Sequence, residues 1–184
     1  MSLVIPMNTT QPRENPFGAG DVAATLIEYG WLVLGAAQSE RLEAWIARAA
    51  QLLGPHAADR PALAELLALI FHYGAAAILQ TPVSHAVLGR EGARDVIREL
   101  ALAVLAVPIV DSDRFKLIIS AIKSRVSYTG RELFYPVRLA LAGRVGDGEL
   151  DRVILLVDDA SITPGLAPVK SVRQRMLEFC AAME

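Results

Sequence analysis

Lys116, Ser120 and Lys123 are spaced at i, i+4 and i+7, so one turn of helix after another would set them on one face. Two ammonium groups and a hydroxyl in a row can hold successive phosphates. Arg125, Arg131, Arg138 and Arg144 follow closely. With Arg114 they give residues 112–144 seven basic groups, against only Asp113 and Glu132. The whole chain is slightly acidic, with 18 Lys+Arg, 20 Asp+Glu and a formal net charge of −2. A phosphate responds to the local field rather than to that total. The plain alternative is that these charges form the solvated side of an ordinary amphipathic helix.

Catalytic chemistry has little to work with. His56, His72 and His85 are far apart, and none stands at metal-ligand spacing from another. His72 lies in an apolar stretch and reads as a hydrogen-bonded core histidine. No GxxxxGK[ST] loop, GxGxxG turn or GxSxG elbow occurs. Cys180 is the sole cysteine and has no histidine beside it in sequence, which excludes an intrachain disulfide and suits a reducing cytosol. Asp158 and Asp159 are adjacent without a base and read as solvated loop charges. The expectation is a protein with no catalytic residue, no metal and no cofactor.

The segment TGRELFYPVRLALAG, residues 129–143, combines several signals. Thr129 and Glu132 have capping-box spacing. Leu133, Phe134, Val137, Leu139 and Leu141 supply core contacts. Pro136 removes one backbone donor inside the helix and should bend it. Arg138 has a planar head with five donors, suited to a phosphate, a base edge or an internal carboxylate. Periodicity leaves these three open.

The longer string GRELFYPVRLALAGRVGDGEL, residues 130–150, resembles the C-terminal anticodon-binding region of bacterial glutamyl-tRNA synthetases. That family carries K-G-[KR]-x-L-F-x-P-[LI]-R-x-A-L-T-G and then an S-G-P-E-L type loop. Arg131, Leu133, Phe134, Pro136, Arg138, Ala140, Leu141, Gly143, Glu149 and Leu150 match in type and spacing. Ala142, Gly146 and Gly148 replace the motif threonine, serine and proline. The resemblance covers about residues 84–157. It implies an all-α helical cage that reads an anticodon loop, with Arg138, Asp147, Gly148 and Leu150 facing the bases. Neither catalytic signature of those synthetases is present. The resemblance therefore implies a stand-alone relative of the anticodon-binding domain that does not charge tRNA.

These residues must be positioned by helices. Ala and Leu dominate, and apolar residues recur at helical spacing from Asp21 onward. The spacing predicts helices over 21–36, 39–53, 60–80, 91–106, 112–127, 131–142, 149–157 and 169–182. Residues 1–20, with Pro6, Pro12 and Pro16, read as an extended arm, and residues 21–184 as one compact helical domain. In the fifth helix, Phe115, Ile118, Ile119, Ile122 and Val126 form the buried stripe opposite Lys116 and Lys123. The stretch LAELLALIFHYGAAAIL is too short and interrupted for a membrane span, so no membrane association is expected.

Two functional classes follow. In the first, a cytoplasmic, non-catalytic module binds a tRNA anticodon arm, with Lys116, Lys123, Arg125, Arg131 and Arg144 on phosphates and Arg138 on a base. Tyr128 and Tyr135 are candidate stacking platforms. In the second, the helical fold docks a protein partner such as a synthetase.

Overall fold

The computed structural model describes residues 15–33 and 39–184; the expected arm falls largely outside them. Among the described residues there are ten α-helices and no strand, which makes the protein all-α as its periodicity predicts. They are α1 (Ala19–Glu28), α2 (Glu40–Leu53), α3 (Arg60–Phe71), α4 (Ala75–Leu79), α5 (Pro82–Leu88), α6 (Ala93–Leu105), α7 (Ser112–Arg125), α8 (Gly130–Ala142), α9 (Gly148–Ser161) and α10 (Val172–Ala182). Leu32 and Leu166 form an isolated antiparallel bridge. None of these helices is long and apolar enough to cross a membrane.

The centre is the pair α8 and α9. Leu133, Val137, Ala140 and Leu141 of α8, and Leu150, Val153, Ile154, Leu156 and Val157 of α9, are all fully buried. α9 packs on α2 and α3 on one side and on α8 and α10 on the other. α6 lies against both α7 and α8, so the basic helix α7 is an outer layer carried by α6. The run VILLV is thus helical and buried throughout within α9.

Several boundaries differ from the periodicity. The helix expected over 21–36 starts at Ala19 and ends at Glu28, with Gly30 at φ +71 turning the chain. The helix expected over 60–80 stops at Phe71, and His72 and Gly74 adopt extended backbone before α4. His72 is exposed there, not in the core, and its Nε2 accepts the Trp31 indole N–H at 3.2 Å. The cause of the break is tertiary: the Tyr73 hydroxyl turns inward and donates to the Ala140 carbonyl at 2.5 Å. Pro82, just past the expected end of that helix, starts α5, because proline at the first helical position needs no donor and Thr81 caps Ser84 N–H at 3.2 Å.

Arg175 is wholly buried, yet among the described residues it meets no carboxylate. Its guanidinium donates to the carbonyls of Lys170 at 3.1 Å, Leu141 at 2.9 Å and Ile70 at 2.5 Å. Ile70 and Leu141 lie in the last turns of α3 and α8, where carbonyls lack helical partners. One cation therefore closes the negative ends of two helices. Burial lowers its pKa to about 10, so it stays charged at neutral pH.

Asp158 is also buried rather than a solvated loop charge, because α9 runs on to Ser161. Its carboxylate accepts Val110 N–H at 2.6 Å and Val172 N–H, the first of α10, at 2.7 Å. Burial raises its pKa, and these two donors and Arg175 oppose the rise. Asp159, the next residue, stays half-exposed beside Arg41 at 3.3 Å and Arg48 at 3.9 Å.

Candidate nucleic-acid interface

α7 begins where Asp111 caps Arg114 N–H at 2.8 Å. From that start, Phe115, Ile118, Ile119 and Ile122 turn inward as the stripe predicts, and Val126 is half-buried. Lys116, Ser120 and Lys123 are left on the exposed side. α8 begins differently from the expected capping box. Thr129 makes no side-chain capping bond, and Gly130 enters the helix at φ +54, outside the helical geometry that a box requires. Pro136 is accommodated inside α8 because the carbonyl it cannot serve, on Glu132, belongs to an exposed first turn.

Residues 131, 134, 135 and 138 share one face of α8, and that face borders α7. Phe134 packs against the core as expected but is only half-buried. Its ring joins Phe115 and Ile119 as the floor of a cleft of about 340 Å³, rimmed by Lys116, Ser120 and Lys123. The Lys123 ammonium lies 5.6 Å from the Phe134 ring centre, and the Arg138 guanidinium 4.8 Å from the same centre. One turn earlier, Arg131 lies 5.9 Å from the Tyr135 ring centre.

The basic residues divide by what already holds them. Lys123 and Arg131 meet no carboxylate among the described residues. Lys116 reaches Asp113 at 3.4 Å, but the two side chains are 74% and 91% exposed, so water competes strongly for both. Arg125 turns away from the cleft to α6, 2.9 Å from Glu99. Arg144 turns to α3, 3.6 Å from Glu65. The fold thus brings Lys116 and Lys123 to one cleft and sets Arg131 next to it. Arg125 and Arg144 lie elsewhere. Tyr128 is half-buried beside Gly92, away from the cleft.

Arg138 points inward. Its Nε and Nη2 each donate to one oxygen of Asp151 at 2.8 Å, and its Nη1 donates to the Gly146 carbonyl at 2.8 Å. Burial pulls its pKa down, but the hydrogen bonds and charge of Asp151, with Asp147 and Glu149 behind, outweigh that and hold it above its ordinary value. Leu150 is completely buried and offers no surface to a base. Asp147 and Gly148 are exposed at the start of α9. Of the four residues that the resemblance aims at bases, two face solvent and two serve the interior.

No family model, curated protein or solved structure matches this chain. The cleft's own geometry therefore carries the functional argument. It can attract phosphate through two flexible ammonium groups and can receive a flat apolar ring on its floor. It offers no nucleophile with a base beside it. Among the described residues, no group of three or more His, Cys, Asp and Glu side chains is placed to hold a metal ion. Sequence reasoning gave Phe134 to the core. Its i, i+4 relation to Arg138 and i, i+3 relation to Arg131, both polar, was the available sign that this face of α8 is not closed.

Proposed function

We propose that the protein is a non-catalytic, cytoplasmic RNA-binding module that docks its ligand on the α7–α8 face. The observation that carries this reading is the cleft itself: Lys116 and Lys123 rim the half-buried ring of Phe134, with Arg131 beside it. Interleaved cations and aromatic rings on adjoining helices suit an RNA strand better than a small neutral ligand. The sequence resemblance to synthetase anticodon-binding domains supports a tRNA anticodon arm as the RNA. Arg138 then has a positioning role, holding the loop 143–148 against α9 through Gly146 and Asp151 rather than reading a base. Titration of the purified protein with tRNA at two salt concentrations tests the reading. Affinity that falls with salt and weakens in Lys123→Ala agrees with it, and no affinity at low salt removes it.

A second reading is a docking module for a protein partner. It is favoured by the internal pairing of Arg114, Lys116, Arg125, Arg138 and Arg144 with acidic neighbours. Leu117, next to Lys116, is 68% exposed and would suit such a contact. Recovery of a synthetase but no RNA in pull-downs from cells would select this alternative.

A further inference from the structure

We infer that the α7–α8 cleft receives one unpaired nucleobase, stacked on Phe134 in the place that the Lys123 side chain now occupies, and that the module therefore selects single-stranded over duplex RNA. This inference rests on the RNA-binding reading above and adds the ligand's form and the residue that recognises it.

The floor of the cleft is apolar. Phe115 and Ile119 are nearly buried, and the half-exposed ring of Phe134 completes the surface. Phosphates gain nothing from such a floor; a flat aromatic base does. A duplex keeps its base faces stacked inside and could offer the cleft only its backbone. The volume of about 340 Å³ lies near the lower end of the range for small-ligand sites, about 300–1,000 Å³, and so favours one ring system over a run of bases.

The two cations near the Phe134 ring differ in freedom. Arg138 is fixed by three hydrogen bonds and is buried. Lys123 is exposed, has no carboxylate partner among the described residues, and rests 5.6 Å from the ring centre. An exposed cation–π contact of that kind is weaker than the stacking of a base on an aromatic ring. A base can therefore displace Lys123, whose flexible four-carbon stem lets the ammonium swing to the phosphate beside that base. Lys116, about two helical turns earlier on the same face of α7, is placed for a neighbouring phosphate. The ring needs no rearrangement, because Leu133 and Val137 on either side of it in sequence are fully buried and hold α8 rigidly.

The test uses the full chain and two RNA probes of equal length. One is an unstructured oligoribonucleotide carrying a single 2-aminopurine; the other is a perfect hairpin duplex. The expected result is tighter binding of the single strand, with quenching of the 2-aminopurine fluorescence on stacking. Phe134→Leu should lose between about five- and a hundred-fold in affinity for the single strand, the range that one stacked base supplies. It should keep the salt slope and the weak duplex binding. Phe134→Tyr should retain the parent affinity and the quenching, which guards against a folding defect in the leucine variant. Equal binding of both probes without quenching, while Lys123→Ala still weakens both, would overturn the stacking inference and leave the RNA reading standing. Polyglutamate binding as tightly as the single strand would overturn it too, since that polymer offers charge without bases. Binding of neither RNA by the parent protein would end both.

Discussion

Arg138 and Asp151 form a two-pronged pair in which both carboxylate oxygens accept a hydrogen bond at 2.8 Å. The arginine side chain is 10% exposed and the aspartate 23%. Such a pair resists being opened by a ligand, because separation leaves a charge in a partly desolvated place. Removing Arg138 should consequently disturb the fold before it disturbs recognition. Arg138→Ala is expected to destabilise by about 2–3 kcal/mol, below the cost of breaking a fully buried pair because Asp151 keeps some solvent. Arg138→Ala/Asp151→Ala should cost less than the two single changes added together. Urea denaturation of the four proteins checks this, and strict additivity would mean that the pair is not coupled.

The basic residues should separate by salt dependence. Lys116→Ala and Lys123→Ala are each expected to reduce the slope of log affinity against log salt by roughly 0.7 for a single-stranded ligand. Arg125→Ala and Arg144→Ala should leave that slope unchanged, since Glu99 and Glu65 hold them away from the cleft. Fluorescence anisotropy across a salt series decides. A uniform effect of all four changes would show a diffuse field instead of a defined cleft.

Arg175 should tolerate no substitute. Arg175→Met leaves the buried carbonyls of Ile70 and Leu141 unpaired, at about 1–3 kcal/mol each, so a loss of about 2–6 kcal/mol is expected. Arg175→Lys should fall in the same range, because one ammonium cannot reproduce the planar fork that reaches three carbonyls. Thermal unfolding followed by circular dichroism provides the measurement, and a lysine variant as stable as the parent would contradict this role.

Glu178 gives stability an acid-side dependence. It accepts Lys170 Nζ at 2.6 Å and Ala75 N–H at 3.0 Å. The Lys170 hydrogen bond is the main cause of a pKa below the ordinary glutamate value, despite some opposing burial. A carboxylate lowered in the folded state stabilises above its unfolded pKa, and that contribution disappears as pH falls through the folded pKa. Glu178→Gln should therefore destabilise at neutral pH by no more than about 1 kcal/mol, as half-exposed pairs do, and the penalty should shrink at about pH 3. Denaturation curves of both proteins at the two pH values measure it, and a penalty that grew in acid would refute the assignment.

Catalysis is not expected. The purified protein should neither activate glutamate with ATP nor charge tRNA, and glutamate-dependent pyrophosphate exchange above background would show otherwise.

The parts of the structure that the chain announces are those set by neighbours three or four positions apart. The α7 stripe and its exposed lysines belong here, since local spacing alone decides them. The break at His72–Gly74 depends on Tyr73 meeting Ala140, 67 positions away, and nothing between Phe71 and Ala75 apart from one glycine signals it. Arg138 could be recognised as an oddity, but its partner Asp151 was one of several acidic candidates 13 or fewer positions on. Arg175 was more legible than that, since it interrupts the buried row Val172, Met176 and Phe179. A charge within a buried row signals a polar partner without naming it, and here the partners are backbone carbonyls, which every residue possesses.

The reach of Arg175 also imposes an order on synthesis. Ile70 precedes it by 105 positions and Leu141 by 34. Translation makes α3 and α8 long before α10, and their final carbonyls must be hydrated until the arginine arrives. Water serves them only while that region remains open, so the α3–α8 junction cannot close on a nascent chain whose α10 is still inside the ribosome tunnel. Ribosome-bound chains halted before Val172 should thus hold secondary structure yet remain open to proteases, and chains extended until α10 clears the tunnel should convert abruptly into the resistant form.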